Sequence, residues 1–277
     1  MKDIDNIVYK KEISYPNEAN DLCFEVEDRS FWFCHRNDCI LELLKQFPPG
    51  GIVYDIGGGN GFVAKALEDK GFQTVLVEPG QSGIDNARKR GLKNMIYARL
   101  EDLDPQFHSL PAVGLFDVLE HIENPAEFLK ILSSVMIPGG MLYITVPAFG
   151  FLWSHEDVFA RHFRRYSLKN IKRVLIENGF TIEYAAYFFL LLPVFIFLLR
   201  VIPYRVGFRK RELHTVKKKI NRDHAQIQEA GILGKWVHKI FRWELKRIRR
   251  KKNIPFGSSC LLAARLNNNP NPGDSKC

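Results

Sequence analysis

From Arg36 to Arg265 the chain alternates between two hydrophobic rhythms. Ile40, Leu41, Leu43, Leu44 and Phe47 recur at helical spacing and predict a helix ahead of the breaker Pro48-Pro49-Gly50-Gly51. Short apolar runs bounded by turn residues predict strands at Ile52 to Ile56, Thr74 to Val77, Met95 to Ala98, Val113 to Phe116 and Met141 to Val146, with helices between them. Pro138-Gly139-Gly140 reads as a turn delivering the chain into the fifth strand. Ser167 is a suitable N-cap for a helix carrying Leu168, Ile171, Val174 and Leu175 and stopping at Asn178-Gly179. A strand near Thr181 to Ala186 follows, and the last strand is expected at Ser259 to Arg265. Such alternation implies an α/β, doubly wound sheet covered on both faces, with a long insertion between its last two strands.

The first strand runs into Asp55-Ile56-Gly57-Gly58-Gly59-Asn60-Gly61-Phe62, a turn that lets backbone approach a nucleotide-like ligand. A nicotinamide site wants a third glycine where Phe62 stands, and a pyrophosphate would be repelled by Asp55. A methionine amine and a sulfonium, both cationic, would be attracted by that carboxylate. Glu78 ends the second strand, where a carboxylate accepts both hydroxyls of a ribose. Together these features point to S-adenosyl-L-methionine chemistry.

A chain of 277 residues, 46% hydrophobic, buries a full core as one domain with a large insertion. Its five cysteines have neither the density of a disulfide framework nor a Cys-x-x-Cys zinc pair, so a reducing cytoplasm is expected. No apolar run follows a basic head at Met1 to Asn6, so no secretory signal is read there. The net charge of +9 is unevenly placed. Arg200 to Pro255 holds 18 Lys and Arg against 4 Asp and Glu, a net +14 that leaves −5 elsewhere.

Over Phe31 to Leu266 the chain resembles the class I S-adenosylmethionine-dependent methyltransferases. The matching pieces are Asp55 to Gly61, Val77-Glu78-Pro79-Gly80, Phe116-Asp117-Val118-Leu119-Glu120-His121-Ile122 and Ile137-Pro138-Gly139-Gly140, in the family's order. The resemblance implies a Rossmann-like seven-stranded sheet with its last strand antiparallel. It also implies that Asp55, Gly57 and Gly59 hold the methionine part, Glu78 the ribose, Leu100 and Glu101 the adenine edge, and that Phe116 lies beside the sulfonium. Arg99 and Pro111 depart from the acids many relatives carry at those places. Ser30 to Phe33, Phe116 to Ile122 and the stretch from His155 to Tyr166 look like a small-molecule branch. Asp-Val-Leu-Glu-His is similar to the Glu-x-x-Glu-His of ubiquinone-type O-methyltransferases, where the motif can hold a divalent metal. Asp117, Glu120 and His121 would be its ligands, but Glu-His is widespread in metal-free relatives and no metal is assigned.

On the acceptor side, His155 and His162 follow the fifth strand and are the candidate catalytic bases, since imidazole titrates near neutrality. Arg165 and Tyr166 are candidates to grip substrate, with Arg164 beside them. Tyr184 to Leu199 has no charge, yet is shorter than the ~20 residues of a membrane span. Downstream, Leu233, Trp236, Val237, Ile240, Phe241, Leu245 and Ile248 line one helical face, with Lys and Arg around it, the pattern of a helix lying on anionic lipid, the alternative being a helix packed on the domain's own core or on a dimer partner. The organisation expected is an N-terminal lid and helix (1–50, with Phe31 to Arg36 excluding water), a cofactor-binding core (51–188), a membrane-interacting insertion (189–256), a final strand (257–266) and a disordered tail (267–277). The function expected is methyl transfer to a lipid-linked or other amphiphilic small molecule, such as a quinone precursor or polyprenyl-linked sugar, on the inner membrane face. An anionic membrane surface and a homodimer mate are the partners considered. The rivals are RNA methylation through the basic segment, disfavoured because phosphate binding does not account for the neighbouring Phe and Leu run, and a non-catalytic cofactor-binding scaffold.

Overall fold

A computed structural model describes residues 17–103, 109–207 and 231–268. Met1 to Asn6, the tail from residue 269 and the basic stretch 208–230 lie outside the described residues, as does the side chain of Leu233. Seven strands form one sheet in the order β3-β2-β1-β4-β5-β7-β6: β1 Val53–Ile56, β2 Thr74–Val77, β3 Met95–Ile96, β4 Leu110–Phe116, β5 Met136–Pro147, β6 Phe180–Phe188 and β7 Ser259–Leu266. β1 to β5 pair in parallel, and β7 runs antiparallel between β5 and β6. The expected fold class is observed. One detail differs: Pro138-Gly139-Gly140 does not precede the fifth strand but forms a bulge inside it, because Leu110 pairs with Met136 and Ala112 with Met141.

Ten α-helices stand among the described residues: α1 Asn17–Val26, α2 Phe31–Gln46, α3 Phe62–Glu68, α4 Gln81–Lys89, α5 Pro125–Val135, α6 His155–Phe159, α7 Leu168–Glu177, α8 Leu192–Ile196, α9 Ile202–Arg205 and α10 Gly231–Arg249. Strand side chains alternate between two cores. Leu142, Ile144 and Val146 of β5 face α5 and α7, while Met141 and Tyr143 face α2 and α10. α7 begins at Ser167, whose hydroxyl caps the Asn170 amide, as its sequence foretells.

The register places all the chemistry on one edge. β1, β2, β4, β5 and β6 end there, and β7 begins there, with Ser259 opposite both Pro147 and Phe188. The insertion therefore leaves β6 and returns to β7 on the edge that carries the glycine loop. Three non-glycine residues with positive φ follow the strand ends on this edge: Asp117 (φ 60) after β4, Phe149 (φ 58) after β5 and Phe189 (φ 61) after β6. Each costs on the order of 1–3 kcal/mol, strain that collects where loops are held for function.

Candidate active site

The glycine loop is braced from below and from above. Glu78 accepts the Gly59 amide at 2.8 Å and the Gly80 amide at 2.7 Å, so one carboxylate ties the β1–α3 turn to the β2–α4 turn. Asp55 is fully buried under Gly58, where an added Cβ would stand 2.5 Å from its Oδ2. Neither Asp55 oxygen has a hydrogen-bond partner. The Ala64 amide favours its charged form without reaching hydrogen-bond geometry. Burial raises Asp55 to about 7, against the pull of Arg36, and burial raises Glu78 to about 7 against its two amide bonds.

Above the loop lies α1, while Phe31 to Arg36 form the first turns of α2, with Phe33 edge-on to Phe62 at 6.0 Å. Asn60 donates to the Asn20 carbonyl at 2.8 Å, Asp21 accepts from Ser82 and Asn86, and Arg90 pairs with Glu27 at 2.8 Å and Asp28 at 2.6 Å.

Arg36, absent from the candidate site residues, turns out to be central. Its guanidinium donates to the Phe116 carbonyl at 2.8 Å and pairs with Asp117 at 2.6 Å, and its charge also acts on Asp55 and Glu120. The sequence carried a signal for it: Arg36 continues the apolar stripe Ile40, Leu44, Phe47 at helical spacing, and a cation on a buried stripe needs a buried partner.

The acceptor-side loop is docked firmly on the segment after β4. The Phe163 amide bonds the Glu120 carbonyl at 2.8 Å, Arg164 bonds the Glu123 carbonyl at 2.7 Å, and the Tyr166 hydroxyl bonds the Leu119 carbonyl at 3.1 Å. Arg165 gives two bonds to Asp157, at 2.7 and 3.0 Å, and a third to the Ala148 carbonyl at 3.2 Å. Burial would raise Asp157, but hydrogen bonds from His162 and Arg165 hold it below the usual carboxylate range. The ionised Asp157 accepts from His162 Nδ1 at 2.9 Å, which leaves Nε2 as the ring's basic nitrogen. The His162 ring meets His121 edge-on at 4.7 Å, and Glu120, His121 and His162 present ligand-type atoms within 4.8 Å of one another. Asp117 is drawn instead to Arg36 and Thr145. Burial and the Asp117 charge hold Glu120 well above the usual carboxylate range, and burial with His162 lowers His121 to about 3, so His121 is neutral near pH 7.

A family model for a methyltransferase domain matches residues 29–185. The chain belongs to this methyltransferase family. Ubiquinone biosynthesis O-methyltransferase of Xanthomonas campestris is 28% identical over 103 residues, 35% of this chain and 43% of that protein. Its counterpart in Rickettsia conorii is 31% identical over 98 residues, 34% of each. The chain thus spans less than half the length of these curated relatives. Among solved structures, the Haloferax volcanii complex between the Trm112 methyltransferase activator and a methyltransferase aligns at TM-score 0.56, 15% identity, over 91% of this chain and 95% of that one. The plantazolicin methyltransferase BpumL aligns at 0.54, 12% identity, over 90% and 91%. These likenesses show the fold. It is the class I, S-adenosylmethionine-dependent methyltransferase fold, and S-adenosylmethionine is the cofactor.

The methyltransferase residues fit that ligand. A buried carboxylate without a hydrogen-bond partner, Asp55, lies beneath a glycine turn, a second buried carboxylate, Glu78, ends β2, and the Arg36 guanidinium stands close by, a donor set suited to a zwitterionic, ribose-bearing ligand. Leu100 is buried and Glu101 exposed in a short turn after β3. Phe116 turns its ring into the core with Val63 and presents its carbonyl, not its ring, to Arg36. Gly57 and Gly59 both take positive φ, at 69° and 54°, in the turn. Arg165 and Tyr166 are occupied by internal bonds and act as the loop's scaffold, while His155 sits at the start of α6 with its ring against Tyr204 at 4.6 Å.

A pH dependence follows. Asp55 and Glu78 have folded pKa values raised above their unfolded ones, so their protonated forms favour the fold at low pH. That stability is lost as pH rises from the ordinary carboxylate range through about 7. Ligand-free protein is expected to melt at a higher temperature near pH 6 than near pH 8. The difference should shrink in the Asp55→Asn, Glu78→Gln double variant; an unchanged difference in scanning fluorimetry would remove these two groups as its cause.

Proposed function

We propose that this methyltransferase moves the methyl group of S-adenosylmethionine to an amphiphilic or lipid-linked small-molecule acceptor at a membrane surface. The observation that carries the reading is positional: the apolar insertion rises from the same sheet edge as the glycine loop and rests on the loop that holds His162. When bound, the cofactor supplies a methyl group on a positively charged sulfur, which departs as a neutral thioether. Asp55 and Glu78 are the groups for the cationic and ribose parts, Arg36 for the methionine carboxylate, and Leu100 with Glu101 for the adenine edge. The glycine loop, capped by α1, excludes water.

The acceptor's nucleophilic atom must shed a proton if it is a hydroxyl or acidic carbon, and His162 is the base for it. Asp157 holds the proton on Nδ1 and so keeps Nε2 ready to receive one. His155 is the second histidine of the loop and forms part of the wall toward α9.

His162→Ala is expected to lower label transfer from S-adenosylmethionine into a membrane extract by about 10²-fold or more, the usual contribution of a general base, while S-adenosylhomocysteine affinity stays within about twofold. Label recovered in the organic phase supports an amphiphilic acceptor. Label confined to RNA or to water-soluble products would refute it.

A further inference from the structure

The sequence pattern places the apolar stripe of the long basic helix on lipid, but the structure turns the C-terminal part of that stripe inward and leaves Trp236 exposed. Ile248 is fully buried, and Phe241 stacks on His35 of α2 at 3.8 Å between ring centroids. The outward apolar surface lies elsewhere, on the short irregular segment from α8 through α9. Pro193 and Val201 anchor this segment in the protein, while Val194, Leu198, Leu199, Ile202 and Val206 are 41 to 66% exposed. A π-helical turn, Phe197–Val201, interrupts it, so its aliphatic side chains do not follow one α-helical stripe. Contiguous exposed aliphatics of this kind mark a contact surface.

We propose that this segment is a wedge that enters the headgroup and upper acyl region of an anionic bilayer and turns the carboxyl edge of the sheet toward the lipid. The proposal rests on the membrane reading above and goes further, since it names the inserting residues and the orientation of the enzyme. Four contacts tie the wedge to the acceptor loop: Phe197 edge-on to Phe151 at 6.4 Å, Tyr204 against His155 at 4.6 Å, Arg205 to the Phe151 carbonyl at 3.4 Å, and Arg200 paired with Glu156 at 3.6 Å. Phe151 is itself exposed and stacks on Phe149, which stacks in turn on Tyr187 of β6. Phe197 and Phe151 thus join the wedge to the loop that also carries His162.

Charge selects the occupant. On α10, Lys235, Lys239, Arg242 and Lys246 are exposed beside Trp236 and Trp243, and among the described residues of that helix no acid is exposed; its one acid, Glu244, is buried. Lys239 lies over Trp236 at 5.3 Å and Arg247 over Trp243 at 5.2 Å. Tryptophan mixed with lysine and arginine is the composition of a headgroup-level belt. Nucleic acid would use these cations and rings, but it would leave the five exposed aliphatics of the wedge without a partner.

The test uses the full chain and three proteins: wild type, the triple variant Leu198→Ser, Leu199→Ser, Ile202→Ser, and the triple variant Lys239→Glu, Arg242→Glu, Lys246→Glu. Each is titrated with S-adenosylhomocysteine, to establish folding and the cofactor site, and sedimented with phosphatidylcholine vesicles with and without phosphatidylglycerol. The expected result is cofactor binding by all three and anionic-vesicle binding by wild type. The serine variant should lose partitioning by about tenfold or more, and the charge variant should lose its preference for phosphatidylglycerol. Wild-type binding that the serine variant keeps would overturn the wedge and leave the membrane reading standing. No vesicle binding by wild type would remove both. Binding to single-stranded RNA that outcompetes the vesicles and is indifferent to the serine substitutions would overturn the wedge in favour of nucleic acid.

Discussion

Arg36→Ala is expected to abolish measurable cofactor binding and to cost about 3–5 kcal/mol of stability, the usual penalty for removing one partner of a buried ion pair. Four acids feel this guanidinium. Asp117 pairs with it directly, and its charge acts to lower the pKa values of Asp55, Glu120 and Glu27. Without it, Asp55 moves further toward its neutral form and no longer attracts a cationic ligand. The Phe116 carbonyl loses its donor, and the methionine carboxylate loses its counter-charge. At about 2–4 °C per kcal/mol for a domain of this size, melting should fall by roughly 10 °C. Arg36→Lys separates the two effects: it restores the charge, and with it part of the stability, but not the planar guanidinium that donates to the Phe116 carbonyl while pairing with Asp117. Calorimetry with S-adenosylhomocysteine and a thermal melt read both. Cofactor affinity within a few-fold of wild type in a folded Arg36→Ala protein would remove Arg36 from the site.

Glu244→Ala should be nearly as damaging, for a different reason. This fully buried carboxylate on α10 accepts the Leu190 amide at 2.6 Å and the Phe189 amide at 3.1 Å, and meets His35 Nε2 of α2 at 2.6 Å. It holds the strained Phe189, where the chain leaves β6 for the insertion. Alanine leaves the buried Phe189 amide and the half-buried Leu190 amide without their acceptor, at about 1–3 kcal/mol for each unsatisfied group, and leaves His35 with Cys39 alone. The loss should be local in its first effects. Hydrogen exchange at Phe189 and Leu190 should quicken while the β1 and β4 amides stay protected, and Glu244→Gln, which keeps one acceptor oxygen, should fall between. An unchanged melt and unchanged exchange would show that the clasp does not hold the insertion.

Much of this architecture was legible from the chain. Asp55, Glu78, the glycine turn and apolar runs of four to seven residues announced the sheet, because each rests on local sequence: apolar runs, breakers and acids at strand ends. Pairing partners were less so. Arg165 and Tyr166 look like substrate ligands in a sequence, yet Asp157 and the Leu119 carbonyl claim them once the loop folds back. Glu78 reads as a ribose acceptor, and the fold shows that the same carboxylate braces two glycine turns. The stripe on α10 illustrates the deeper limit. Periodicity reveals that a helix has an apolar face, but what that face meets is decided by tertiary packing, here α2 and β6. Arg36 and Glu244 shared one overlooked signal, a charge at an apolar position of a helical stripe.

The most direct measurement is a calorimetric titration of S-adenosylhomocysteine into wild type and into the Asp55→Ala, Glu78→Ala double variant, each shown to be folded by circular dichroism. The account predicts micromolar binding by wild type and none by the variant, since the variant lacks the carboxylate under the loop and the one that ties its two glycine turns together. Equal binding by both proteins, or no binding by a well-folded wild type, would contradict it.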